Sequence, residues 1–409
     1  MLGGIDGFDD SCHSAVRECH PVCFFLVHED RYQVDSPENL TQHEQIAIDS
    51  RINLSDGHPR HDLTSSQSVV IDRLPELFRT ASTEPFEKLE RQALRAFMSA
   101  LGQHSAPVET GRIFSLYSSS VATMALANAL AELNHRVALL HPTFDNIHDI
   151  LSRSVKITPI EEAVCAQARL EEIISWGATC LFITTPNNPT GWVLQQEEFE
   201  RVVRVCAERN ILLCLDTSFR GFDKRAQFDG YEVLHRYGAQ YVVIEDTGKL
   251  WPMSELKLGI LAVSEGMWPV MRKAVSDVLL TVSPLVLKLV ESLSRDAAAG
   301  GLDRLHDLIA ANRRRVARTV GALPGVTLPD PSSRISAARL AFPSAEAAAR
   351  VSSDLLEHGI HVLPCRQFHW ARPEEGGHLF RVALARNPDV IEAAMSRLSA
   401  AVKSSVGLD

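Results

Sequence analysis

The chain has 409 residues, 45% apolar and 22% charged, with a net charge of −10 and a pI near 5.9. That length allows one large domain and one smaller domain, each with its own core. The acidic balance argues against nucleic-acid or anionic-membrane partners, which reward a basic surface, and no apolar stretch is as long as the roughly 18 residues of a membrane span.

Residues 1–36 read as a disordered N-terminal extension. They begin with Asp6, Asp9 and Asp10 ahead of a short apolar patch at 22–27. A signal peptide needs a basic start and a longer apolar core, so a cytoplasmic protein is expected. Cys12, Cys19 and Cys23 lie here with His13 and His20, but without a C-x-x-C pair. A loose extension fits them better than a metal site, and no metal is expected. Cys165, Cys180, Cys206 and Cys214 sit in apolar segments, where reduced thiols act as small hydrophobes.

Residues 37–84 are expected to form a helix and an arm over the site or against the C-terminal domain. From about residue 110, short apolar runs alternate with helical segments. Strands are predicted at 112–117, 136–140, 179–185, 211–215 and 241–245, and helices at 121–133 and 197–210. Continuous apolar strands between helices indicate a mainly parallel sheet covered on both faces. Ligands of such sheets bind beyond the carboxyl ends of the strands, so the chemistry should follow residues 117, 140, 185, 215 and 245. The large domain is placed at 85–288. A smaller α+β domain follows at 289–409, with a basic, Ala-rich helix at 302–323, strands at 336–342, 360–364 and 379–384, and a final helix.

Each predicted strand end carries a polar group. Ser118-Ser119-Ser120 precedes a helix, as an anion site or as plain N-capping. His141-Pro142-Thr143-Phe144 offers an aromatic, either to stack on a planar ring or to fill the core. Pro186-Asn187-Asn188-Pro189-Thr190-Gly191 is a specific turn whose amides can bond a ligand oxygen. Asp216 ends an apolar strand, a costly place for an acid without a partner; opposite a pyridine nitrogen it would keep that nitrogen protonated. Lys249 follows the next strand, where a lysine can form a Schiff base with an aldehyde cofactor. Lys257, eight residues on, reads as a phosphate ligand or a surface lysine.

This order resembles the fold-type I enzymes of pyridoxal 5′-phosphate (PLP), the aspartate aminotransferase superfamily. The resemblance implies a large domain with a mainly parallel seven-stranded sheet, a smaller α+β C-terminal domain, an N-terminal lid helix and a homodimer with sites at subunit interfaces. It implies Lys249 as the Schiff-base lysine, Asn188 on the ring hydroxyl, Asp216 on the ring nitrogen and Phe144 stacked on the ring. Ser119, Ser120, Ser218 and Lys257 fall near the phosphate, and Arg381 on the substrate α-carboxylate, a role that suits bidentate pairing. Two positions depart from an ordinary aminotransferase. Phe219 stands where the family has a tyrosine, and Lys257 where it has an arginine, a point charge instead of a planar fork.

Longer strings narrow the likeness. Asp56-Gly57-His58, Asp216-Thr217-Ser218-Phe219-Arg220-Gly221-Phe222-Asp223 and Glu245-Asp246-Thr247-Gly248-Lys249-Leu250-Trp251-Pro252 resemble the PLP-dependent L-arginine oxidases/hydroxylases of nonproteinogenic amino-acid pathways, such as those to enduracididine antibiotics. That resemblance implies L-arginine and O2 as substrates, without metal or flavin. The products are 4-hydroxy-2-ketoarginine and 2-ketoarginine, with ammonia and H2O2 released. It puts Glu44 and Asp246 on the guanidinium with Thr41 and Asp56 close by, His58 as the acid/base group, and a lid over 39–50. A conventional aminotransferase, or a non-catalytic amino-acid sensor on the same fold, are the alternatives.

Overall fold

Short apolar runs separated by helices bury both faces by lying side by side with helices above and below. The structure, a computed structural model, describes residues 37–253 and 256–406. Its strands, in chain order, are β1 (Ile52–Asn53), β2 (Ile113–Leu116), β3 (Arg136–His141), β4 (Lys156–Glu161), β5 (Cys180–Thr184), β6 (Leu212–Asp216), β7 (Tyr241–Asp246), β8 (Gly259–Val263), β9 (Ala337–Ala341), β10 (Ile360–His361), β11 (Leu363–Pro364) and β12 (Leu379–Ala383). Seven of them make the central sheet, in the order β2-β8-β7-β6-β5-β3-β4. β3 through β7 are parallel to their neighbours, and β8 runs antiparallel to both β7 and β2.

The two-residue period of a strand sends alternate side chains to opposite layers. Along β5, Leu181 and Ile183 join one apolar layer while Cys180 and Phe182 join the other. β6 repeats the split, with Leu213 and Leu215 against Leu212 and Cys214. Both faces are therefore dry, as the unbroken apolar runs require. The helix Phe86–Ala100 packs on Pro284–Asp296 over one face, and the helix Ser119–Glu132 packs with Trp268–Ser276 over the other. Cys165, Cys180, Cys206 and Cys214 are buried free thiols.

Two sheet strands were not among the predicted ones. β4 is an edge strand, half-buried and carrying Pro159, which an edge tolerates because the ladder loses no central bond there. β8 is short and apolar, and only pairing reveals its reversed direction. The run at 360–364 divides. β10 pairs in parallel with β1, whereas β11 joins β12 and β9 in a small antiparallel sheet. The basic helix is seen at Leu302–Gly321.

At the N-terminal end of the described residues, the helix Leu40–Ile46 is capped by Asn39, whose Oδ1 accepts from Gln42 N at 2.9 Å. Its Leu40 is buried with Leu363, Cys365 and Phe368. The extension 1–36, with its Cys and His residues, lies outside the described residues. No helix among the described residues is long and apolar enough to cross a membrane.

Beneath the strand ends lies a buried ion pair. Arg220 Nε donates to Glu245 Oε1 at 3.0 Å, and Arg220 Nη1 donates to Ala226 O. Burial raises the Glu245 carboxyl, and Arg220 opposes that rise. Removing one member of a buried pair leaves an uncompensated charge, at a cost of about 3–5 kcal/mol. Glu245→Ala should lower the unfolding free energy by that amount in a denaturant titration. A loss under about 1 kcal/mol, the value of a surface pair, would show that the pair does not hold the sheet end.

Candidate active site

The register assembles the site. β5 and β6 set Thr184 beside Asp216, and Asp216 pairs with Ile244 of β7. Asp246 lies opposite Gly259, and Gly259 opposite Leu116. The carboxyl ends of β5, β6 and β7 thus meet the N-terminus of the helix Ser119–Glu132. One cavity opens there. It is lined by Thr41, Glu44 and His58 from the N-terminal segment, Ser119, Ser120, Phe144, Asn188, Asp216 and Ser218 from the loops after successive strands, and Asp246, Lys249, Lys257 and Arg381. Of the residues predicted for the site, Asp56 stands outside this lining. It borders a neighbouring opening with Thr41, Glu44 and His58.

Ser118 caps the helix, its Oγ accepting from Val121 N at 3.2 Å. Both readings of the serine run therefore apply, because the helix N–H groups beyond the cap have no partner within the helix. Ser119 Oγ donates to Asp246 Oδ2 at 2.9 Å, and Ser120 Oγ accepts from Asn146 Nδ2 at 3.0 Å. Gly259 is required here, since a Cβ would lie 2.2 Å from the Ser118 carbonyl carbon.

Asp216 is buried, and its Oδ1 accepts from Ser218 N at 2.9 Å and from Ser218 Oγ at 2.6 Å. Ser218 thus holds the acid in place. Burial raises the Asp216 carboxyl, and the bonds from Ser218 only partly offset it. Such an acid is matched by a cationic or strongly donating ligand group.

Lys249 Nζ and Lys257 Nζ each lie 3.3 Å from His58 Nε2, and Lys249 Nζ is 5.9 Å from the Phe219 ring centroid. Asp56 Oδ1 lies 2.6 Å from His58 Nδ1. The carboxylate assigns the ring proton to Nδ1 and leaves the Nε2 lone pair facing the lysines. Burial, then the charge of Lys249, lowers the His58 pKa. Burial alone would raise the Asp56 carboxyl, but its hydrogen bonds and charge contact with His58 outweigh that and hold it well below the usual range. Asp56 Oδ2 also accepts from Arg60 Nε at 3.0 Å. Its geometry is that of a residue positioning His58.

At the other end, fully buried Arg381 donates from Nη1 to Asn188 Oδ1 at 3.0 Å and from Nη2 to Glu44 Oε1 at 3.1 Å. Asn187 serves the turn itself, with Nδ2 on Pro142 O and Glu162 Oε1. Gly191 takes φ +72°, and a side chain there would strike Ser333. The Asp246 oxygens accept from Gly248 N and Ser119 Oγ, so Asp246 braces the serine end of the cavity. Phe144 lines the wall with its ring edge-on to Phe368, centroids 5.7 Å apart.

Two supports escaped the sequence reading. Asp145 Oδ2 accepts from Leu40 N at 2.8 Å and ties down the helix Leu40–Ile46; burial pushes its carboxyl up to about 6. Buried Arg386 donates to the carbonyls of Asn53, Asp56 and His58, stapling the loop that presents His58. Asp145 adjoins Phe144 in the chain, a signal that could have found it. Arg386 offered none.

These residues fit PLP. A buried acid with neutral partners suits its ring nitrogen, a helix N-terminus with Lys257 suits its phosphate, Lys249 suits its aldehyde, and Phe144 offers a flat apolar wall.

The aminotransferase class I and II family matches residues 50–398. Histidinol-phosphate aminotransferase of Roseiflexus castenholzii is 26% identical over 50% of this chain and 54% of its own length. LL-diaminopimelate aminotransferase of Gloeobacter violaceus is 29% identical over 56% and 58%. The chain therefore spans little more than half the length of these curated relatives. Among solved structures, MppP soaked with the product 2-ketoarginine is 44% identical, with a TM-score of 0.82 over 86% of this chain and 100% of that one. Aspartate aminotransferase from Thermus thermophilus with maleate shares the fold at 17% identity, with a TM-score of 0.73 over 90% and 97%. The chain belongs to the class I and II aminotransferases, PLP-dependent enzymes of fold type I.

Proposed function

We propose that this protein is a PLP-dependent oxidase/hydroxylase of L-arginine. It would use O2 as co-substrate and yield 4-hydroxy-2-ketoarginine and 2-ketoarginine with ammonia and H2O2, as a cytoplasmic homodimer serving nonproteinogenic amino-acid or antibiotic biosynthesis. The reading rests chiefly on the 44% identity to MppP along that protein's whole length, in a structure holding 2-ketoarginine. We further divide the chain into an N-terminal lid and arm (37–84), a PLP-binding domain (85–288) and a small domain (289–409), with 1–36 outside them.

PLP, when bound, supplies an electron sink for the bonds at the substrate Cα. The chain's own residues do the rest. Lys249 holds the cofactor and exchanges protons, Asp216 keeps the ring nitrogen protonated, Asn188 bonds the ring hydroxyl, and Ser119, Ser120 and Lys257 meet the phosphate. Arg381 binds the α-carboxylate. Glu44 now occupies Arg381 as that carboxylate would. An arriving substrate carboxylate replaces it and frees Glu44 for the guanidinium, beside Thr41. The helix Leu40–Ile46 carries Thr41 and Glu44, so their engagement draws it over the site and excludes water. Phe219 gives Lys249 an apolar neighbour where a tyrosine would give a donor.

His58, neutral and aimed by Asp56, is placed to accept a proton at Nε2. Its lowered pKa keeps the basic form present down to below the ordinary value near 6.5. Activity should then fall on acidification through that lowered pKa. His58→Asn should reduce turnover by about 10²–10⁴-fold and erase that acid limb from the pH–rate profile. An unchanged limb in the variant would assign it elsewhere.

The deciding experiment incubates purified holoenzyme with L-arginine and air, without a keto acid, and follows dissolved oxygen. Uptake with peroxide release supports the oxidase. The curated relatives, all aminotransferases, favour the second reading. Turnover that appears only once a keto acid is added, without oxygen uptake, would sink the oxidase in favour of an arginine aminotransferase.

A further inference from the structure

Away from the cavity lies a second group of unsaturated ligands. His141, at the end of β3, meets His369 and Glu375 of the loop between β11 and β12, with one ligand atom of each within 4.8 Å of the others. The two imidazoles stand nearly perpendicular, with ring centroids 5.4 Å apart. His369 Nδ1 is 3.5 Å from Glu375 Oε2. His141 is fully buried and His369 is 6% exposed. Among the described residues, His141 Nε2 and both ring nitrogens of His369 are buried without a hydrogen-bond partner. Three orphaned imidazole nitrogens in one place are costly in a protein interior. Glu375 is partly open to solvent and gives the cluster an entry path.

We infer that His141, His369 and Glu375 form a site for a divalent transition-metal ion of the zinc class. Two neutral imidazoles and one carboxylate are the donors that borderline cations prefer, and they leave a fourth position for water. Burial, followed by the charge of His141, lowers the His369 pKa to about 4, so it is a free base at neutral pH.

Arg372 competes for this place. It donates to Glu161 and, from Nε, to Glu375 Oε1, and its Nη2 lies 3.2 Å from His141 Nδ1. It is 38% exposed, so it can swing out when a metal arrives and retain Glu161 as its partner. Guanidinium and metal are thus alternatives at one site.

Occupancy would reach the active site by a short path. Phe368 O accepts from Thr143 N at 3.1 Å, its ring meets Phe144, and Arg381 Cζ lies 5.5 Å from its centroid. A metal tying His141 to His369 therefore stiffens the wall that carries Phe144. This makes the site structural or regulatory, separate from the proposed oxidase chemistry.

The test is equilibrium dialysis of chelator-treated holoenzyme against Zn²⁺ without substrate, with the melting temperature and the visible absorption of bound Co²⁺ as second readouts. Wild type should bind one ion per chain and melt higher with added Zn²⁺. His369→Ala and Glu375→Gln should lose that ion and the shift, while His148→Ala, a neighbouring histidine outside the cluster, should keep both. Arg372→Ala should bind more tightly than wild type. Equal stoichiometry in wild type, His369→Ala and Glu375→Gln, or binding seen in Arg372→Ala alone, would overturn the site. Because Glu375 is a partly exposed side chain, Glu375→Gln keeps the test informative should His369→Ala fail to fold.

Discussion

Lys249→Ala should remove turnover on L-arginine under either catalytic reading, by at least about 10⁴-fold, the upper end of what acid–base catalysis alone contributes. Lys249 is asked to hold the cofactor and to move a proton, and no neighbour can do both. Lys257 is equally close to His58, but it lies toward the phosphate end. The variant should lose the visible absorption of lysine-bound cofactor and take up no oxygen. A variant that kept more than a few per cent of activity would show that Lys257 substitutes for it, and Lys249/Lys257 double replacement would settle which amine acts. His58 provides an internal check. With one ammonium gone, the second-ranked cause of its lowered pKa disappears, so any residual proton exchange should show an acid limb at higher pH.

Arg381→Lys is expected to carry the second-largest effect. The guanidinium is fully buried, bonds Asn188, Glu44 and the Ser55 carbonyl, and leaves Nε without a partner. A lysine keeps the charge but cannot serve these acceptors from one plane. Losing one partner of a buried charged pair costs about 2–5 kcal/mol, which is roughly 30-fold to several thousand-fold in kcat/KM. If Arg381 serves binding alone, the loss should appear in KM with kcat nearly unchanged. Glu44→Gln separates the two ends of the substrate. It should weaken arginine, but not an amino acid with an uncharged side chain of similar length. Equal loss for both would mean that Glu44 only braces Arg381 and never meets the guanidinium.

Asp145 bears on the same step. Its carboxyl is raised to about 6 by burial while it holds Leu40. A raised carboxyl means that the folded state binds the proton more tightly, so this group's contribution to stability declines as pH rises from about 4 to about 6. The anchor of the helix Leu40–Ile46 is therefore pH-sensitive just below neutrality.

Much of this site is written locally in the chain. Ser118 to Ser120, Asn188, Asp216 and Lys249 each lie within a few residues of a strand end, and strands were legible because buried parallel strands are unbroken apolar runs. β4 and β8 were not, because an edge strand with Pro159 lacks such a run and strand direction is a property of pairing. Partners were less legible than positions. Asp56 was expected beside the guanidinium and instead aims His58; Asp246 was expected there too and braces Ser119. Both belong to loops, where no periodicity states which way a carboxylate points.

The amino-acid sequence by itself determined the family, the order of the strand ends and the identity of the lysine, acid and asparagine they present, since each follows from a run of neighbouring residues. The tertiary structure decided what those groups meet. It joined His58 to Lys249 across 191 residues and Glu44 to Arg381 across 337, stapled the His58 loop with Arg386, and left His141 and His369 facing each other without partners. Contacts between such distant segments are set by how whole layers pack, and no local pattern encodes them.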